Sequence, residues 1–134
     1  MNKPLKIQPI PLFSSKIQAG FPSPATDYIE KTLDLNELCI KHPAATFFAL
    51  ATGYSMVKAG IYPDDVLIID KSLEARDRDI VIALYNGQFT VKRLLKTPIL
   101  QLMPENNEYE PIIITDNDEF EIFGVVTNSI RNFR

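Results

Sequence analysis

The chain has 134 residues, 46% of them hydrophobic, which is the size of one globular body with a real core and leaves no room for a second folded domain. One Cys and one His exclude an internal disulfide and the usual tetrahedral N/S zinc site, so no metal centre is expected, and any histidine-dependent triad would have to run through His42. With 14 basic against 17 acidic side chains, the net charge of −3 argues against broad, non-specific binding to nucleic acid.

No stretch approaches the roughly 20 apolar residues of a membrane span, and residues 1–20 lack the apolar core of a signal peptide. A soluble, cytoplasmic protein is the expectation. Charge is unevenly placed: Lys3, Lys6 and Lys16 are the only charged side chains up to Gly20, whereas the stretch from Glu105 to Glu121 carries seven acids and no base. That acidic stretch reads as a solvated face.

Residues 1–24 read as an arm, because Pro4, Pro9, Pro11, Pro22 and Pro24 remove donors and interrupt any helical or ladder pattern. Asp34, with Glu37 three residues later, then marks the start of one short helix over 34–41, with Leu35, Leu38 and Cys39 on its apolar face and Pro43 beyond its end. Cys39 is expected to fill core, and His42 to sit at the surface or the helix end. From Thr46 the pattern becomes short β-like runs: 46–52, 66–70, 80–85, 89–94, 99–103, 112–115 and 120–130. Phe47, Phe48, Phe89, Phe120 and Phe123 read as core aromatics, with dimer contacts as the alternative, and not as a base-stacking platform, since no basic residues interleave with them.

Asn86-Gly87 is the strongest local signal. It predicts a two-residue hairpin with a type I′ turn, which pairs Tyr85 with Gln88, Ala83 with Thr90 and Val81 with Lys92. Lys92 then falls on a face with Val81, Ala83 and Leu94, while Arg93 points the other way. A lysine among apolar side chains loses hydration, which disfavours the ammonium and makes a neutral amine available as a general base. A stem lying on the sheet with its amine in water is the ordinary alternative. A partner for the amine stands at Ser55 in Gly53-Tyr54-Ser55-Met56, where Gly53 permits a sharp turn at the end of a strand; a capping serine would look the same locally.

Beyond these local signals, Ala19-Gly20-Phe21-Pro22-Ser23-Pro24-Ala25, Asp34-Leu35-Asn36, His42-Pro43-Ala44, Gly53-Tyr54-Ser55-Met56, Asp79-Ile80-Val81, Phe89-Thr90-Val91-Lys92 and Phe123-Gly124-Val125-Val126 follow one another in one order. Together they resemble the UmuD-like branch of the LexA-like autoproteases of the bacterial SOS response. The resemblance implies a mostly β fold, a LexA/signal-peptidase-like domain over 25–134 with short helices, preceded by a flexible, Pro-rich arm over 1–24 that holds the self-cleavage site. It implies Ser55 as nucleophile, Lys92 as general base, Ala19–Gly20 as the bond cut, and backbone N–H groups of Tyr54 and Ser55 as oxyanion donors. It further implies a homodimer without a cofactor, activated by RecA filaments on single-stranded DNA, whose cleaved form serves a UmuC-type translesion polymerase. Ala19 stands where UmuD-like proteins commonly carry Cys, and Tyr54 where they often carry an acid; the first is also small, so the bond stays cleavable. Only 19 residues precede that bond, too few for a helix-turn-helix repressor domain. A non-catalytic interaction module retaining the same fold is the alternative reading, and a signal-peptidase-like enzyme acting on other chains is disfavoured for want of a membrane anchor.

Overall fold

The computed structural model describes residues 10–14, 16–22, 24 and 29–134, and the chain divides into two compact units, 1–41 and 42–134. Lys3, Pro4, Lys6, Pro9, Ser23 and Ala25, singled out above, lie outside the described residues.

In the first unit, β1 (Ile10–Phe13) pairs antiparallel with β2 (Ile29–Leu33), with Ile10 opposite Leu33 and Pro11 opposite Thr32. The prolines pointed away from any ladder, yet Pro11 sits inside a strand. Each strand of a two-stranded ribbon has one outward edge, where a missing N–H breaks no ladder bond. The helix α1 (Leu35–Cys39) is shorter than the expected 34–41. Asp34 caps it as its position predicts, its carboxylate accepting from the Asn36 N–H at 2.9 Å, and Lys41 Nζ donates to the Glu37 carbonyl at the other end. Ile40 is already extended, at φ −113°. Leu35 and Leu38 are exposed and Cys39 is half-buried, so this apolar face does not act as core. A helix of little more than one turn has too few residues to bury a stripe.

The second unit is one seven-stranded sheet in the order β3-β4-β9-β5-β6-β7-β8, every neighbouring pair antiparallel. Its strands are β3 (Thr46–Leu50), β4 (Val66–Asp70), β5 (Ile80–Tyr85), β6 (Gln88–Leu95), β7 (Gln101–Met103), β8 (Ile112–Ile113) and β9 (Phe120–Ile130). All seven runs read from the sequence are strands, and the fold is mostly β. The hairpin turn has φ 47° at Asn86 and φ 81° at Gly87, and it sets Tyr85 opposite Gln88 and Val81 opposite Lys92.

Period-two alternation on β5 sends Ile82 into one buried cluster, with Ala51, Met56, Ile61, Leu67 and Ile69, and sends Val81 and Ala83 into another, with Leu94 and Leu102. The sheet is thus apolar on both faces, and a fully buried Leu such as Leu94 or Leu102 contributes about 1.5–3 kcal/mol. The long strand β9 joins β4 to β5, and its pairing skips Thr127 against β4 and Phe123 against β5. An unpaired residue of this kind bends a strand and re-aims its side chain. Phe123 accordingly turns to the rim of a cleft, and Gly124 beside it lies so close to Ile69 that a Cβ there would stand 2.5 Å from the Ile69 Cγ2 methyl. Among the described residues, no helix is long and apolar enough to cross a membrane.

Candidate active site

Strand β3 ends at Leu50, and the chain must then reverse. Gly53 makes the bend at φ 77°, which a side chain would oppose, and residues 54–56 turn into the 3-10 helix Val57–Ala59. Ser55 is presented on this turn, half-buried, while the next side chain, Met56, is packed into the core. Lys92 reaches the same point from the middle of β6. Its Nζ lies 3.2 Å from Ser55 Oγ, 2.6 Å from Thr90 Oγ1 and 3.2 Å from the Val91 carbonyl oxygen. Burial lowers the Lys92 pKa from its ordinary value, because lost hydration penalises the ammonium.

These three partners fit a neutral amine. It has two N–H donors, which Thr90 Oγ1 and the Val91 carbonyl can accept, and one lone pair, which is then left for the Ser55 hydroxyl. A protonated amine spends three donors on the same partners and has no lone pair. Thr90 escaped the sequence reading, although the hairpin register contains the signal: residues two apart on one strand share a face.

The pair opens on a cleft of about 420 Å³, mainly apolar, walled by Phe47, Phe48, Leu50, Phe89 and Phe123. Phe123 packs against Phe47 at 5.7 Å and edge-on to Phe89 at 5.3 Å between ring centroids, with Lys71 Nζ 4.5 Å above its ring. Phe47, Phe48 and Phe89 are exposed rather than core. The reason lies in topology, since β3 is the edge strand of its sheet and Phe89 stands next to a hairpin turn.

The remaining candidates fall in separate places. Tyr54 is exposed, and its carbonyl accepts from Asn106 Nδ2 at 2.8 Å. Ala19 and Gly20 lie exposed in a bend of the first unit. His42 is half-exposed, with Nδ1 2.6 Å from the buried Asp70 carboxylate. The hydroxyl of Ser72, and after it His42, hold the Asp70 carboxyl below its usual range. Arg93 turns away from Lys92, as the register predicts, and its Nε donates to Glu105. Glu105 and Asp118 depart from the solvated-face reading. Glu105 is half-buried against Arg93, and Asp118 accepts from Asn86 Nδ2 and the Thr115 N–H. Among the described residues, no three His, Cys, Asp or Glu side chains are grouped to hold a metal ion.

Residues 11–127 match the family described as Peptidase S24-like. The chain is 48% identical over 124 residues to protein SamA of Salmonella typhimurium, covering 92% of this chain and 86% of SamA. It is 48% identical over 132 residues to protein ImpA of Escherichia coli, covering 92% of this chain and 85% of ImpA. To protein MucA of Escherichia coli it is 44% identical over 126 residues, covering 93% of this chain and 86% of MucA.

Proposed function

The chain belongs to the Peptidase S24-like family, among its UmuD-like SOS mutagenesis proteins, and from that premise we propose that it cuts its own Ala19–Gly20 bond with a Ser55–Lys92 dyad. The single observation that carries this reading is the 3.2 Å approach of a half-buried lysine amine to Ser55, which lines an apolar cleft. Neutral Lys92 takes the Ser55 proton as Oγ bonds to the Ala19 carbonyl carbon. The proton passes to the Gly20 nitrogen as the Ala19–Gly20 bond breaks, leaving Ala19 as an ester on Ser55. Water, deprotonated by Lys92, then hydrolyses that ester and restores the dyad. Backbone N–H groups of Tyr54 and Ser55 are the donors assigned to the oxyanion. Thr90 holds the amine in line.

The product, Gly20–Arg134, is the accessory subunit of an error-prone translesion polymerase of UmuC type. It acts as a homodimer in the cytoplasm, and RecA filaments on single-stranded DNA stimulate the cut. Cleavage removes three lysines and no acid, so the product is more acidic than the precursor. Incubating the purified chain at alkaline pH without cofactor tests the proposal. A fragment beginning at Gly20 is expected from the wild type and none from Ser55→Ala or Lys92→Ala. A folded wild type that stays whole favours the non-catalytic module, and cutting by either variant removes that residue from its role.

A further inference from the structure

The nucleophile sits on a turn outside the sheet ladder, so something other than strand pairing must hold its distance to Lys92. Three hydrogen bonds from one neighbouring loop do so. The Glu105 N–H donates to the Ser55 carbonyl at 2.8 Å, the Glu105 carbonyl accepts from the Lys58 N–H at 2.9 Å, and Asn106 Nδ2 donates to the Tyr54 carbonyl at 2.8 Å. The loop itself is tied back to β6, because the Glu105 carboxylate accepts from Arg93 Nε, and Arg93 Nη1 donates to the Arg78 carbonyl at 2.6 Å. Adjacent residues of a strand point to opposite faces. One step along β6 therefore supplies both the amine facing Ser55 and the guanidinium that anchors the loop bracketing Ser55.

We propose that Arg93 and Glu105 are positioning residues that set the Ser55–Lys92 separation, a role that rests on the self-cleavage reading above. A displacement of about 1 Å in a reacting group can cost about a hundredfold in rate, whereas a partly exposed ion pair adds little to overall stability. The pair thus governs the reaction far more than the fold. Arg93 and Glu105 are each roughly seven-tenths covered, with side-chain exposures of 28% and 29%.

The test compares self-cleavage rates, across pH, of the wild type with Arg93→Gln, Glu105→Gln, their double variant and Asn106→Ala. Glu105→Gln keeps the main-chain bonds and removes only the charge. Each single variant is expected to cut about 10–100-fold more slowly, with the thermal midpoint within a few degrees of wild type. The double variant is expected to be no slower than the slower single one, and the pH at which the rate levels off is expected to stay where it is in the wild type. Wild-type rates in both charge variants, losses that multiply in the double variant, or a moved levelling pH overturn the positioning role while leaving self-cleavage intact. Slowing only in step with a large fall in thermal midpoint overturns it too, with Asn106→Ala as the independent check on the same loop. A wild type that never cuts removes the self-cleavage reading and this role with it.

Discussion

Raising the pH titrates the proposed base directly. An ordinary lysine amine has a pKa of 10.5, so at pH 7.5 about one in a thousand is neutral. Burial lowers the Lys92 value, which enlarges that fraction and makes it saturate earlier. Self-cleavage is therefore expected to accelerate about tenfold per pH unit while the amine is mostly protonated, and to level off before pH 10.5. The same shift leaves a mark on stability. Between the folded value and 10.5 the unfolded chain binds more protons, so this group's contribution to stability rises with pH through that window, and below it the cost of burying the ammonium is felt in full. The assay incubates purified protein at half-unit steps from pH 6 to 11, follows the shortened product on gels, identifies its N-terminus by mass and checks folding by circular dichroism. A rate independent of pH, or one still climbing tenfold per unit beyond 10.5, would refute the argument. Urea titrations of Lys92→Met supply the second half, since that variant should lose the alkaline rise in stability along with all cutting.

Other perturbations probe the frame around the dyad. Gly124→Ala sets a Cβ 2.5 Å from Ile69 Cγ2 and 3.4 Å from the Asp70 carbonyl, and overpacking of this kind costs about 1–3 kcal/mol; an unchanged urea midpoint would show that β4 and β9 yield more easily than their pairing implies. Met56→Ala empties a side chain that is 2% exposed, directly after Ser55. It is expected to cost about 2–5 kcal/mol in urea unfolding and to slow cutting as well, and a loss of stability with cutting untouched would mean that the turn does not lean on this packing. Arg131 and the Tyr62 N–H hold the buried Asp65 carboxyl below its ordinary value of 3.8, and Asp70 is held down by Ser72 and His42. Both carboxylates therefore stabilise the fold above about pH 3.8, and that contribution drains away as the pH falls through 3.8 toward their folded values. Urea midpoints flat from pH 6 to 2 would contradict this.

Much of the frame could be read locally. Asn86-Gly87 demanded positive φ at both turn residues, and that alone determined the register that sets Lys92 opposite Val81 and sends Arg93 the other way. Asp34 announced its helix by capping chemistry. Strand runs were legible because their length and apolar content are local properties. Helix length and the strand at Pro11 were not, since both depend on which neighbour supplies hydrogen bonds. The aromatics misled for a similar reason: hydrophobicity says that Phe47, Phe48 and Phe89 prefer cover, and only strand order says that β3 lies at an edge.

The site divides along the same line. Local chemistry picked out Ser55 and Lys92 separately, each with an ordinary alternative, and family resemblance joined them. Their 3.2 Å approach, the Thr90 and Val91 acceptors that leave a lone pair for Ser55, and the Glu105 bracket are products of chain closure across tens of residues. Turn preferences and side-chain period act over two to four residues and are written in the order of amino acids. Desolvation of an amine and its distance to a hydroxyl depend on which strands become neighbours, so the folded sheet alone decides them.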